Sequence, residues 1–143
     1  MASSPQQTIT QTLQLTQSQI LTLNSSPFVI VPAEPGFINI FNKATLNYLY
    51  KNAPFTNVDN LMSFIIQPVA AAPIIVSNSL NGINILGVTQ STGISFSPAN
   101  PYLSLMSSSA NAPIALTISG SDPTGGNPQS ILAVSFTYSI FQL

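Results

Sequence analysis

The chain has 143 residues, of which 45% are apolar and 3% charged, and its net charge is -1. An average soluble domain is about a quarter charged, whereas here Glu34, Lys43, Lys51, Asp59 and Asp122 are the whole set. Cysteine and histidine are absent, which excludes disulfide frameworks, thiol nucleophiles, imidazole bases and zinc sites built on either residue.

In chain order, the first seven residues are expected to be mobile. Ile9, Leu13 and Leu15 then alternate loosely, as in an edge strand or an arm that pairs with a neighbour. Residues 1–15 are accordingly read as an N-terminal arm and residues 16–143 as a single β-sandwich domain. Thr16 with Gln19 forms a capping-box pattern, and the apolar pair Ile20 and Leu23 predicts a short helix of about two turns before Asn24. Phe28–Val31 is a continuous apolar run. So are Phe64, Ile65 and Ile66, and again Ile74, Ile75 and Val76; such runs predict strands covered on both faces by a second sheet or a neighbouring subunit. Between the first two runs lies a long strand over 37–50, in which Leu46, Tyr48 and Tyr50 alternate with Thr45, Asn47 and Leu49.

Asn81-Gly82 supplies the positive-φ residues of a type I′ turn and predicts a hairpin into Ile83, Asn84, Ile85 and Leu86. Ile114, Leu116 and Ile118 alternate with Ala115, Thr117 and Ser119. The polar stretch 119–128 reads as a long surface loop. The clearest strand is the last: Leu132, Val134, Phe136, Tyr138 and Ile140 alternate with Ala133, Ser135, Thr137 and Ser139 at a period of two. Prolines and glycines recur throughout, cutting the chain into roughly eight short strands. The fold class expected is all-β, a jelly-roll-like two-sheet β-sandwich with one short N-terminal helix.

Chemistry-bearing patterns are sparse. A carboxylate pair would have to use two of Glu34, Asp59 and Asp122, each in a turn setting that exposes a carboxylate or uses it as a cap. Lys43 and Lys51 are the available bases for a serine nucleophile, and neither lies in an S-x-x-K pattern. Gly125-Gly126-Asn127 lacks the Lys-Ser/Thr and the helix of a phosphate loop, and Asp122 alone is too little for a tight calcium site. No cofactor is expected. Two lysines without arginine exclude nucleic acid as a partner. The N-terminus lacks the features of a signal peptide, and no apolar run approaches the roughly 20 residues of a spanning helix. The final alternating strand has the flavour of an outer-membrane barrel, but twelve prolines and too few long alternating stretches argue against one, so no membrane partner is expected. Tyr48, Tyr50, Phe55 and Tyr102 are candidates for stacking on sugars, with core or subunit packing as the commoner use of such aromatics.

Several segments together point to a family. Ile20-Leu21-Thr22-Leu23 is followed by Ser26-Pro27-Phe28-Val29-Ile30-Val31-Pro32-Ala33, Gly36 and the strand from Phe37. Later come Asn111-Ala112-Pro113-Ile114, the Gly125-Gly126-Asn127 loop and a closing strand containing Tyr138. This order resembles small phage virion proteins that decorate or cement a capsid. The resemblance spans residues 20–143 and implies a non-enzymatic β-sandwich subunit, usually a homotrimer, seated on the outer capsid surface of the virion with the major capsid protein as partner. It brings no catalytic residue. Ile9, Leu13 and Leu15 on the arm, with Phe37, Phe41, Tyr48 and Tyr50 on the aromatic strand, are the candidate capsid or subunit contacts. The alternative is a glycan- or receptor-binding knob of a virion or tail fibre, resting on the aromatics and the 119–128 loop. A surface made of Ser, Thr, Asn and Gln opposes association with little charge repulsion, which suits either assembly.

Overall fold

The computed structural model describes residues 6–67, 72–99 and 112–142. Tyr102 and Asn111 lie outside the described residues. The long alternating segments form the strands that their period dictates: β1 (Gln6–Leu15), β3 (Phe37–Leu49), β9 (Ile114–Ile118) and β11 (Ile131–Gln142). Shorter strands complete the set, namely β2 (Phe28–Val31), β4 (Phe55–Thr56), β5 (Leu61–Ile66), β6 (Ile74–Ile75), β7 (Leu80–Asn81), β8 (Thr92–Phe96) and β10 (Thr124–Gly125).

Two main sheets face each other. One has the order β1-β11-β3-β8 and the other β2-β9-β5-β6, with β7 also on β5 and a small ribbon of β10 with β4. All pairings are antiparallel. The partners are nested along the chain: β1 takes β11, β2 takes β9, β3 takes β8 and β5 takes β6. That is one long hairpin rolled upon itself, so the expected jelly-roll sandwich is the fold.

Side chains alternate across each strand, and the inward sets of both sheets merge into one core. Phe41 of β3 stacks on Phe64 of β5 with ring centroids 4.9 Å apart, and Phe64 meets Phe96 of β8 edge-on at 5.3 Å. Leu15, Leu46, Leu116, Leu132 and Val134 are fully enclosed around them. A bulge at Asn42, between the pairs Thr137 with Lys43 and Tyr138 with Phe41, lets β3 keep Phe41 and Ala44 both buried.

Four local expectations change. The helix is a single short turn, α1 (Gln17–Ile20), with the capping box at Thr16 and Gln19 formed as predicted. It ends early because Asp122 takes the backbone N–H groups of Asn24 and Ser25 at 2.9 and 2.8 Å, pinning the chain in a turn. Asn81 has φ -70 and caps a 3-10 helix, Gly82–Asn84, by accepting from the Ile83 N–H, so no I′ hairpin forms there. Gly82 is needed for close approach instead: a Cβ there would lie 2.7 Å from the Val58 carbonyl oxygen. The 119–128 loop contributes β10 and is tied down by Thr124 to Thr56 and by Asp122. Of the three apolar runs, only Phe64, Ile65 and Ile66 are buried throughout; Val29 is 42% exposed and Ile75 is 53% exposed, because both lie on edge strands.

Candidate contact face

The polar halves of the alternating strands converge on one surface, the outer face of the β1-β11-β3-β8 sheet. Strand registers set the rows. Thr12, Ser135, Thr45 and Ser95 lie side by side across all four strands, and Gln14, Ala133, Asn47 and Gly93 form the next row. Thr10, Thr137 and Lys43 form the row on the other side.

Within the rows the hydroxyls bond to one another: Thr10 to Thr137 at 2.9 Å, Thr12 to Ser135 at 3.0 Å and Thr45 to Ser95 at 3.5 Å. Cross-strand Thr and Ser pairs of this kind stabilise a sheet by about 0.2–1 kcal/mol each and hold their side chains in one rotamer. A shallow depression of about 460 Å³ lies at the end of the face, lined by Gln14, Asn47, Leu49, Gly93, Ile131 and Ala133. Gly93 keeps it open, because a Cβ there would lie 2.9 Å from the Asn47 amide oxygen. The face exposes the Thr10, Thr12 and Ser95 hydroxyls and the Gln14 and Asn47 amides, with Thr45 and Ser135 half-buried and Thr137 buried among them, and among the rows described its charged member is Lys43. Among the described residues, no cluster of three metal-ligating side chains exists.

The residues singled out from sequence fall in three places. Leu15, Phe41 and Tyr48 are at most 1% exposed and sit in the core of the single chain. Ile9 and Leu13 are half-buried on the inward side of β1, packed against that core, and Tyr50 is half-buried just beyond β3. Phe37 is half-buried at the start of β3. The structure therefore does not bring these seven together as one outer patch; it uses most of them to join the sheets. Phe55 is likewise 1% exposed, tilted against Tyr48 at 6.0 Å.

No family model matches the chain, and no curated protein matches it. A chain of the solved structure titled "Capsid of Ralstonia phage GP4" is similar in fold at 12% identity, with 96% of this chain and 85% of that one covered and a TM-score of 0.47.

The hydroxyl rows were missed from sequence although their signal was present. Thr8, Thr10 and Thr12 on β1, and Ser135, Thr137 and Ser139 on β11, are the polar halves of the periods that located the strands. Attention to the apolar half alone finds the core and overlooks its reverse side.

The charged groups act locally. The backbone N–H of Ser25, then its hydroxyl, then the N–H of Asn24 hold the Asp122 carboxyl below its ordinary pKa. Asp59 accepts from the Asn81 amide at 2.7 Å beside the 3-10 helix. Burial raises the Tyr48 phenol, with Ser130 opposing the rise, and burial with the Glu34 carboxylate nearby raises that of Tyr138.

Proposed function

We propose that this chain is a non-enzymatic structural protein of a phage virion, a decoration or cement subunit that binds the outer capsid surface as a homotrimer and stabilises the shell. The observation that carries this reading is the broad, ordered face of hydroxyl and amide rows. Such a face is buried against a protein partner with Lys43 as the one ion to be stripped of water, and that stripping is the dominant penalty when charged surfaces meet. Its short side chains also lose little rotamer freedom on contact. The sequence resemblance to capsid-decorating proteins supports the same conclusion, and jelly rolls serve as capsid modules. They also serve as lectins, but two of the four aromatics offered for sugar stacking, Tyr48 and Phe55, are spent in the core.

The test has two stages. Light scattering of the purified chain at low and high salt is expected to give three times 15.1 kDa, or a whole multiple of that trimer mass, in both, since few charges are available for salt to screen. Phage shells stripped of the protein are then expected to disrupt at lower temperature and under milder osmotic shock than complete shells, with resistance restored by adding the chain back. Equal resistance of stripped and complete shells overturns the stabilising role. Saturable glycan binding without shell binding transfers the protein to the receptor-binding alternative.

A further inference from the structure

Sheet edges are hazards that proteins blunt with short strands, prolines, charges or bulges. Among the described residues, three of the four edges of the two main sheets follow that rule. β2 has 4 residues between Pro27 and Pro32, β6 has 2 residues after Pro73, and β8 has 5 residues, with Pro98 soon after its end. β1 breaks it. Although Pro5 precedes it in sequence, it runs for 10 residues, QQTITQTLQL, without internal proline or charge, in unbroken register with β11. Among the described residues β11 is its sole strand partner. Gln7, Thr8, Thr10, Gln11, Thr12 and Gln14 are all exposed along it.

We propose that the free edge of β1 is a self-association site, pairing antiparallel with β1 of a second copy across a two-fold axis at Gln11. The sequence of the strand selects both occupant and register. Directly opposed residues in an antiparallel pair share a face, so a continuous sheet requires odd residues to meet odd and even to meet even. Centring on Gln11 sets Ile9 opposite Leu13, Thr10 opposite Thr12, Thr8 opposite Gln14 and Gln11 opposite itself. Apolar then meets apolar on the core side to either side of the Gln11 pair, covering the half-buried Ile9 and Leu13, and on the outer side hydroxyl meets hydroxyl at Thr10 and Thr12 and hydroxyl meets amide at Thr8 and Gln14. Centring on Thr10 instead sets Ile9 against Gln11 and Leu13 against Gln7, which loses the apolar match. The product is one sheet through both copies, with the hydroxyl rows of the outer face continuing across the junction.

The site stands independently of the capsid reading, because it is formed by the chain alone; with a trimer it adds a two-fold contact that joins one trimer to the next. The test uses the purified full chain without shells. Gln11→Lys and Gln11→Glu each place like charges directly opposite at the axis, and each is expected to weaken the two-fold association at least about tenfold by sedimentation or light scattering. Mixing the two variants is expected to restore it, as unlike charges then face each other. Since the chain has no cysteine, Gln11→Cys gives a single thiol that is expected to oxidise to a covalent dimer, whereas Thr8→Cys, which faces Gln14, is expected to remain uncrosslinked. The proposal is overturned if either charge variant associates like the wild type, if mixing restores nothing, or if the two cysteine variants crosslink equally. Gln11 is exposed in the single chain, so unchanged circular dichroism is expected to show all variants folded.

Discussion

At the scale of single residues, two polar groups carry opposite accounts. The hydroxyls of Tyr48 and Ser130 are fully enclosed and make no well-formed hydrogen bond to anything else. A buried hydroxyl without a sound partner costs about 1–3 kcal/mol, so Tyr48→Phe is expected to leave the thermal midpoint unchanged or to raise it. A fall of more than about 1 kcal/mol on denaturant titration would show that the hydroxyl is well paired. Asp122 is the converse, a carboxylate whose partners favour its charge. Its folded pKa lies below the ordinary 3.8, so the stability it adds is fully present above that value and is lost as pH falls through the folded pKa. Asp122→Asn is therefore expected to destabilise the protein at neutral pH, with the difference from wild type shrinking on acidification. Thermal melts of both proteins from neutral to strongly acidic pH check this, and a pH-independent gap would assign Asp122 a purely steric role.

At the scale of elements, what sequence reveals is local and what it conceals is distant. Period-two alternation located β3, β9 and β11 because each carries enough turns of the pattern to separate its two faces. The same pattern did not say that β1 closes on β11, since the bond from Thr10 to Thr137 spans 127 positions and periodicity holds no information on partners. Asn81-Gly82 misled for a different reason: Asn81 found a better use as a cap, and Gly82 was required by a close approach to Val58 rather than by its φ. Core and contact positions are not separated by the pattern, because an apolar strand residue reads alike whether it faces its own second sheet or a partner. The glycines now separate into distinct cases. Gly126 has φ +76, and a Cβ there would collide with the Phe55 ring; Gly36 has φ +83 with nothing within 4 Å of an added Cβ. Gly36→Ala is expected to cost only the left-handed backbone term, about 1–2 kcal/mol. Gly126→Ala must also displace a core ring and is expected to cost about 1–3 kcal/mol more. Urea titrations of the two variants compare these costs directly, and equal losses would mean that Phe55 moves aside freely.

At the scale of the whole molecule, nesting makes the two ends of the chain interdependent. β1 and β11 are first and last in sequence yet adjacent in the sheet, and β11 lies between β1 and β3. Sequence alone treats residues 1–15 as an arm whose removal leaves the sandwich folded. The observed packing predicts a different result, because Leu15 is fully buried in the core and the full length of β1 is paired. Deleting 1–15 strips one side of β11 of its hydrogen bonds and opens the core beside Leu132 and Val134. Removing a single buried leucine side chain typically costs about 2–5 kcal/mol, a large share of the roughly 5–15 kcal/mol that holds a domain together. The truncated chain is therefore expected to lose its cooperative thermal transition and its near-ultraviolet dichroism, not merely its assembly. Retention of both signals would restore the separable arm. Loss of assembly by truncation therefore cannot locate the contact by itself; substitutions confined to the exposed side chains of β1, which leave Leu15 in place, isolate the edge from the fold.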